Sequence, residues 1–203
     1  MILETGKFYH LYNRSNNKEI VFKEPGNHEF FLEKYSKLIS PYVETIAYCL
    51  MPTHFHFCIR VVTEDMDRLR DNIGVLLSSY TKAINKRFDR HGSLFQQHTK
   101  AIWIDDVSYL STVCRYIHLN PVRAGMVGRP EDWRFSSFNR MSRSDDVRLL
   151  IPLFHLTGEV IGPEQLDDVG SPENDGQKRY WIEDRRIGAH QREPVQILSA
   201  AGS

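Results

Sequence analysis

The stretch from Val43 to Val62 constrains the fold more than any other part of the chain. Val43–Met51 and His54–Val62 are both rich in β-branched, aromatic and apolar residues, and only Pro52-Thr53 separates them. Two such segments can form a hairpin, although Pro52-Thr53 is not an Asn-Gly type of turn. Around this pair the hydrophobic period switches between two and 3.6 residues. Lys7–Arg14 reads as a strand, followed by the polar turn Ser15–Glu19. From Asn27 to Ile39 the residues Phe30, Phe31, Tyr35, Leu38 and Ile39 recur at helical spacing, with Asn27 as N-cap. A longer helix is expected from Met66 to Phe88, with Leu69, Ile73, Leu76, Leu77, Tyr80 and Ile84 as its apolar stripe.

Lys100–Ile104 reads as a fourth strand, and Asp106 caps a helix running from Val107 toward Leu119. Asn120-Pro121 interrupts that helix, because a proline disfavours helical geometry in the residue before it. Asn120 is then expected to cap a short helix, Pro121–Ala124, that Gly125 ends. The order strand, helix, strand, strand, helix, strand is that of an α+β, ferredoxin-like βαββαβ fold with an added C-terminal helix. Its sheet is expected to be antiparallel, with the helices packed on one face. Beyond Ser144 the patterning weakens. Gly162–Gly176 is rich in Gly, Pro and acidic residues, as a flexible linker would be, and Lys178–Ile187 can form a short charged helix around Tyr180 and Trp181.

A chain of 203 residues with 41% apolar residues can bury one sizeable core with an appendage. Basic and acidic residues are equal at 26 each, which taken alone argues against a nucleic-acid partner. The average conceals a gradient: between Arg68 and Arg134 there are eleven basic residues and six acidic ones. A phosphate-facing surface has that balance, and so do ordinary solvated helix faces. Cys49, Cys58 and Cys114 show no CxxC spacing and fit a reducing compartment. With no signal-peptide pattern and no long apolar run, a cytoplasmic protein without a membrane partner is expected.

Two constellations carry chemistry. In His54-Phe55-His56 the alternation of a strand puts both imidazoles on one face and Phe55 on the other, so the pair can share a metal or simply hydrogen-bond near a sheet edge. Tyr116 and Asn120 lie four apart at the end of a helix and can face one point. A tyrosine can attack a phosphodiester, and an Asn oxygen can serve as a hard ligand. Equally, a tyrosine on an amphipathic helix can be core and an Asn before Pro a cap. Arg115 and His118 flank Tyr116 and can contact DNA or remain ordinary surface residues.

Ala47–Val61 (AYCLMPTHFHFCIRV), Ser78–Phe88, Gly92–Ile104, Tyr116–Val127 (YIHLNPVRAGMV) and Asp132–Phe138 occur in this order. With the MPxHxH and YIxLNPVRAG elements at this separation, the chain resembles the REP-associated tyrosine transposases, within the single-tyrosine HUH transposase family. The likeness spans most of Lys7–Phe138. It implies a transposase domain over residues 1–140 and a partly flexible C-terminal extension over 141–203. It also implies that His54 and His56 bind Mg²⁺ or Mn²⁺, that Asn120 completes the metal site where many relatives carry Gln, and that Tyr116 is the nucleophile.

The activity implied is metal-dependent cleavage and rejoining of single-stranded or hairpin DNA through a 5′-phosphotyrosine. Lys82, Lys86 and Arg87 on the long helix, with Arg115 and Arg123 near the tyrosine, are the candidate DNA contacts. Phe95 or His98 can stack on an unpaired base or pack in the core. Three other readings compete: a domesticated regulator that binds palindromic repeats, a phosphodiesterase in which water attacks, and an interaction module whose His pair and Tyr116 are far apart. Monomer and homodimer both remain open, as does whether Tyr116 works on its own subunit's site.

Overall fold

The computed structural model describes residues 1–141. The extension expected from residue 141 onward, with the linker Gly162–Gly176 and the helix Lys178–Ile187, lies outside the described residues save for its first position. Four strands, β1 (Phe8–Arg14), β2 (Val43–Met51), β3 (His54–Val61) and β4 (Lys100–Ile104), form one sheet in the order β2-β3-β1-β4, and every neighbouring pair is antiparallel. With α1 (Pro25–Leu38) between β1 and β2, and α2 (Met66–Arg87) between β3 and β4, this is the ferredoxin-like arrangement.

The hairpin between β2 and β3 has only Pro52 and Thr53 in its loop, and neighbouring backbone compensates for the absent Asn-Gly chemistry. Val21 and Phe22 both donate their N–H groups to the Pro52 carbonyl, at 2.7 and 3.1 Å, and Ser15 N–H donates to the Thr53 carbonyl at 2.8 Å. These bonds fix the point at which His54 enters β3. One face of the sheet packs on α1 and α2 through a core that includes Phe31, Tyr35, Leu50, Phe55, Phe57, Ile59, Leu69, Leu76, Tyr80 and Ile84. Phe55 is thus buried on the layer opposite its two neighbouring histidines, as strand alternation requires. Phe95 belongs to this core too and has no base-stacking surface, whereas His98 is exposed.

Three local expectations are corrected. Helix α1 begins at Pro25, whose fixed φ and missing N–H suit a first helical position. Asn27 is accordingly the third helical residue rather than the cap, and its Oδ1 accepts from the backbone N–H groups of Lys23 and Glu24, each at 3.1 Å. Helix α3 (Val107–Arg123) runs without a break through Asn120-Pro121. The helix ends so soon after Pro121 that the proline removes little internal bonding. Gly125, at φ +68°, closes it, with Gly125 N–H bonded to the Val122 carbonyl and Met126 N–H to that of Pro121, both at 2.9 Å. Finally, the helices do not share one face. α3 covers the face of the sheet opposite α1 and α2, packing Leu110, Val113, Cys114 and Ile117 on Ala47, Cys49, Met51, Cys58 and Ile104.

The segment after α3 shields the outer edge of β2. Trp133 Nε1 donates to the Leu50 carbonyl at 3.1 Å, Leu50 N–H to the Phe135 carbonyl at 2.9 Å, and Ser137 N–H to the Tyr48 carbonyl at 3.0 Å. His118 on α3 is bound to Ser137 Oγ at 2.8 Å, and His28 on α1 is stacked between Phe22 and Phe135. Cys49, Cys58 and Cys114 are buried free thiols. No helix among the described residues is long and apolar enough to cross a membrane.

Burial holds both His28 and His118 down to about 4. In the unfolded chain each titrates near 6.5, so below that pH the unfolded state binds more protons and stability falls toward pH 4. Each histidine contributes a slope approaching about 1.4 kcal/mol per pH unit in that window. Denaturant midpoints measured from pH 7 to 5 should therefore decline, and His118→Gln should remove one proton's share of the slope. Parallel profiles for variant and parent would contradict the assignment of His118.

Candidate functional site

The register of the sheet assembles the site. Tyr12 lies opposite His56, His10 opposite Cys58 and Arg14 opposite His54, so alternate residues of β1 share a face with the two histidines. That is the face covered by α3. Its side chains include the small residues Ala47, Cys49 and Cys58, and α3 lies against them with Cys114 and Ile117.

His56 is 4% exposed and His10 3%. Their rings are 5.1 Å apart, and His10 Nε2 meets His56 Nδ1 at 3.0 Å. His54 stands nearly perpendicular to His56, with centroids 4.9 Å apart, and its Nδ1 is paired with Thr53 Oγ1 at 3.0 Å. His54 and His56 therefore each commit Nδ1 to a hydrogen bond, whereas His10 uses Nε2. The other ring nitrogens, Nε2 of His54 and Nε2 of His56, are both buried, and that of His56 has no hydrogen-bond partner among the described residues. Burial, reinforced by the neighbouring His54 and His10, pushes the His56 pKa well below its ordinary value, and burial alone takes His10 down to about 3. His10 and His56 are thus held neutral, which is the form that binds a metal.

Tyr116 enters from α3. Its ring centroid is 5.6 Å from that of His56 and 6.1 Å from that of His10, meeting both edge to face. Two turns further along α3, the Arg123 guanidinium lies 5.5 Å from the centre of the Tyr116 ring. Asn120 is buried, and its Nδ2 donates to the Tyr116 carbonyl at 3.2 Å, leaving Oδ1 as the hard acceptor of that amide. Among the described residues, no three His, Cys, Asp or Glu side chains form a cluster fit to hold a metal. A cation here would therefore rest on the two imidazoles plus oxygens from an amide, water or substrate.

Of the residues singled out by sequence, His54, His56 and Tyr116 are thus brought together within one chain, with Asn120 one turn and Arg123 two turns further along α3. The reading in which the His pair and Tyr116 are unrelated in space is overturned. Arg115 is half-buried beside Tyr116 on α3. Lys82, Lys86 and Arg87 sit elsewhere, on α2 across the sheet, and Arg87 pairs with Glu24 at 2.7 Å. His10 and Tyr12 were missed. The available signal was their i, i+2 spacing in a strand otherwise filled by Tyr9 and Leu11, which puts two polar rings on the face away from the main core.

No protein-family model matches the chain. A curated Haemophilus influenzae protein named as a REP-associated tyrosine transposase is 30% identical over 106 residues. That match covers 48% of this chain and only 60% of the relative's length. A solved structure described as a REP-associated tyrosine transposase bound to a REP hairpin shares the fold, with a TM-score of 0.61 at 20% identity over 79% of this chain and 90% of that one.

Proposed function

We propose that this chain is a DNA transposase or nuclease that cuts and rejoins single-stranded or hairpin DNA, with Tyr116 as nucleophile. The observation that carries the reading is the placement of the Tyr116 ring 5.6 Å from His56, whose buried Nε2 has no hydrogen-bond partner among the described residues. The similarity to a protein named as a REP-associated tyrosine transposase supports the activity, and the hairpin bound by the fold neighbour supports the substrate class.

With Nδ1 engaged on both His54 and His56, and His56 held neutral by burial, the pair fits a divalent cation. His54 and His56 would hold Mg²⁺ or Mn²⁺ through Nε2, with Asn120 Oδ1 as the further ligand. Such a cation would polarise a non-bridging oxygen of the scissile phosphate. Tyr116 Oη attacks phosphorus, the bond to the 3′ oxygen breaks, and the products are a 5′-phosphotyrosine and a 3′-OH. The phenol loses its proton and the departing oxygen gains one. The phosphodiester energy is conserved in the new ester, so attack by a 3′-OH reverses the step and rejoins the strand without a nucleotide cofactor. Arg123, over the tyrosine ring, is placed to meet the negative charge that builds on the phosphate. Because Tyr116 and the His pair meet in one chain, the geometry favours a nucleophile acting on its own subunit's site.

Incubation with a hairpin oligonucleotide and Mn²⁺ should yield a covalent protein–DNA adduct on a denaturing gel. Tyr116→Phe should abolish the adduct with DNA binding nearly unchanged, and His54→Ala should abolish metal-dependent cleavage. Cleavage that persists in Tyr116→Phe would sink the tyrosine mechanism in favour of hydrolysis.

The basic residues on the two sides of the sheet should separate by readout. Arg123→Ala should slow adduct formation by about 10- to 100-fold at saturating DNA, as loss of a charge-stabilising group does. The double variant Lys82→Ala, Lys86→Ala should leave that rate intact while reducing the salt dependence of binding by up to about two phosphate contacts. An equal loss of adduct rate in both would contradict this division of roles.

A further inference from the structure

Resting on the DNA reading just given, we propose that Arg14 is a phosphate-binding residue that holds the DNA strand at the phosphate next to the scissile one. The residues of β1 that face the site form three rows with β3: Arg14 opposite His54, Tyr12 opposite His56, and His10 opposite Cys58. Directly opposed residues of an antiparallel pair project from the same face, with Cβ atoms about 4.5–5.5 Å apart. Tyr116 meets the rings of His56 and His10, so it belongs to the second and third rows. Arg14 occupies the first row, at the end of the sheet where β3 begins. Lys100 of β4, exposed and opposite Tyr12, adds a second cation to that face.

The backbone of Arg14 is engaged while its side chain is not. Its N–H donates to Asn13 Oδ1 at 2.7 Å, and its carbonyl accepts from Gln96 N–H at 2.9 Å. Asn13 is itself buried and donates from Nδ2 to the Gln96 carbonyl at 3.2 Å and to Thr99 Oγ1 at 3.0 Å. The strand end that carries Arg14 is thus fixed from both sides. Arg60, Arg70, Arg87, Arg90, Arg129 and Arg134 each pair with a carboxylate. The half-buried Arg14 guanidinium has no such partner among the described residues. A charge that gives up hydration without gaining a partner is costly, and a phosphate would relieve that cost. The planar fork of donors matches phosphate oxygens, and a fixed strand presents it at little further loss of freedom. Arg123 lies over the tyrosine ring, whereas Arg14 lies on the row beyond His56, so the two arginines serve different phosphates of one strand.

Binding is measured with the full chain carrying Tyr116→Phe, so that cleavage does not interfere, on a hairpin oligonucleotide with a single-stranded flank. Arg14→Ala should weaken binding about 10-fold, as loss of a charged hydrogen bond does, and lower the salt slope by about one. Arg14→Lys keeps the charge and should recover part of the affinity, with circular dichroism confirming that each variant is folded. The flank is then scanned with one uncharged methylphosphonate at a time. Neutralising the phosphate next to the scissile one should cost the Arg14 protein about 10-fold and the Arg14→Ala protein nothing more, since the two changes remove one contact. Penalties that add at every position would overturn the proposal, as would an unchanged affinity in folded Arg14→Ala. Coupling confined to the scissile phosphate would contradict the placement. If the parent with Tyr116 intact never forms an adduct, yet one phosphate of the flank still couples to Arg14, the cutting-and-rejoining reading fails and the phosphate contact stands.

Discussion

The close seat of α3 on the sheet is the contact on which the site depends. Ala47, Cys49 and Cys58 present short side chains on that face, and α3 meets them with Cys114 and Ile117. Small residues at a helix–sheet interface allow the two backbones to approach, and that approach lets a tyrosine on the helix reach histidines on a strand. Cys58 follows His56 by two positions, and Cys114 precedes Tyr116 by two. The apolar contact and the meeting of His56 with Tyr116 are therefore rungs of the same two elements. A bulkier side chain at either cysteine would lift the helix and carry Tyr116 away from His56, with no reactive group altered.

A second constraint is the register of β1 against β3. Strand alternation alone places His54 and His56 on one face, but only the pairing of Tyr12 with His56 and of His10 with Cys58 supplies the neighbours that orient them. A one-residue slip would turn His10 and Tyr12 into the α1–α2 core and move Tyr9 and Leu11 to the site. That core is dense with aromatic contacts, including Phe31 against Tyr80 and Tyr35 against Phe57, and it would reject an imidazole with no acceptor. The larger core thus protects the geometry of a site with which it shares no side chain.

The order of elements was legible because the periodicity of each segment agrees with its final state. The β2–β3 hairpin, the α2 stripe and the shared face of His54 and His56 all follow from period counting. What period counting could not reach was decided between segments. The uninterrupted α3 depends on a glycine-closed end that makes Pro121 inexpensive, and its position on the second face depends on small residues scattered over two strands. His10 was invisible as a site residue because a lone histidine in a strand has no partner until the register is known. The placement of Lys82 and Lys86 across the sheet from Tyr116 has the same origin: a charge count along the chain does not say which face of a layered fold receives each helix.

That last point bears on how a chain with balanced charge can serve a polyanionic substrate. His10 and His56 are neutral through burial, so they add no positive charge of their own. Under the proposed function, attraction for phosphate would come from a bound cation together with the exposed Arg123 over the tyrosine ring. This division has a physical advantage. A cation held among buried side chains would act at one point where its charge is least screened, whereas an exposed arginine acts in solvent and is screened by salt. A net charge of zero is therefore no measure of the capacity to bind DNA; what matters is where the charges lie relative to Tyr116.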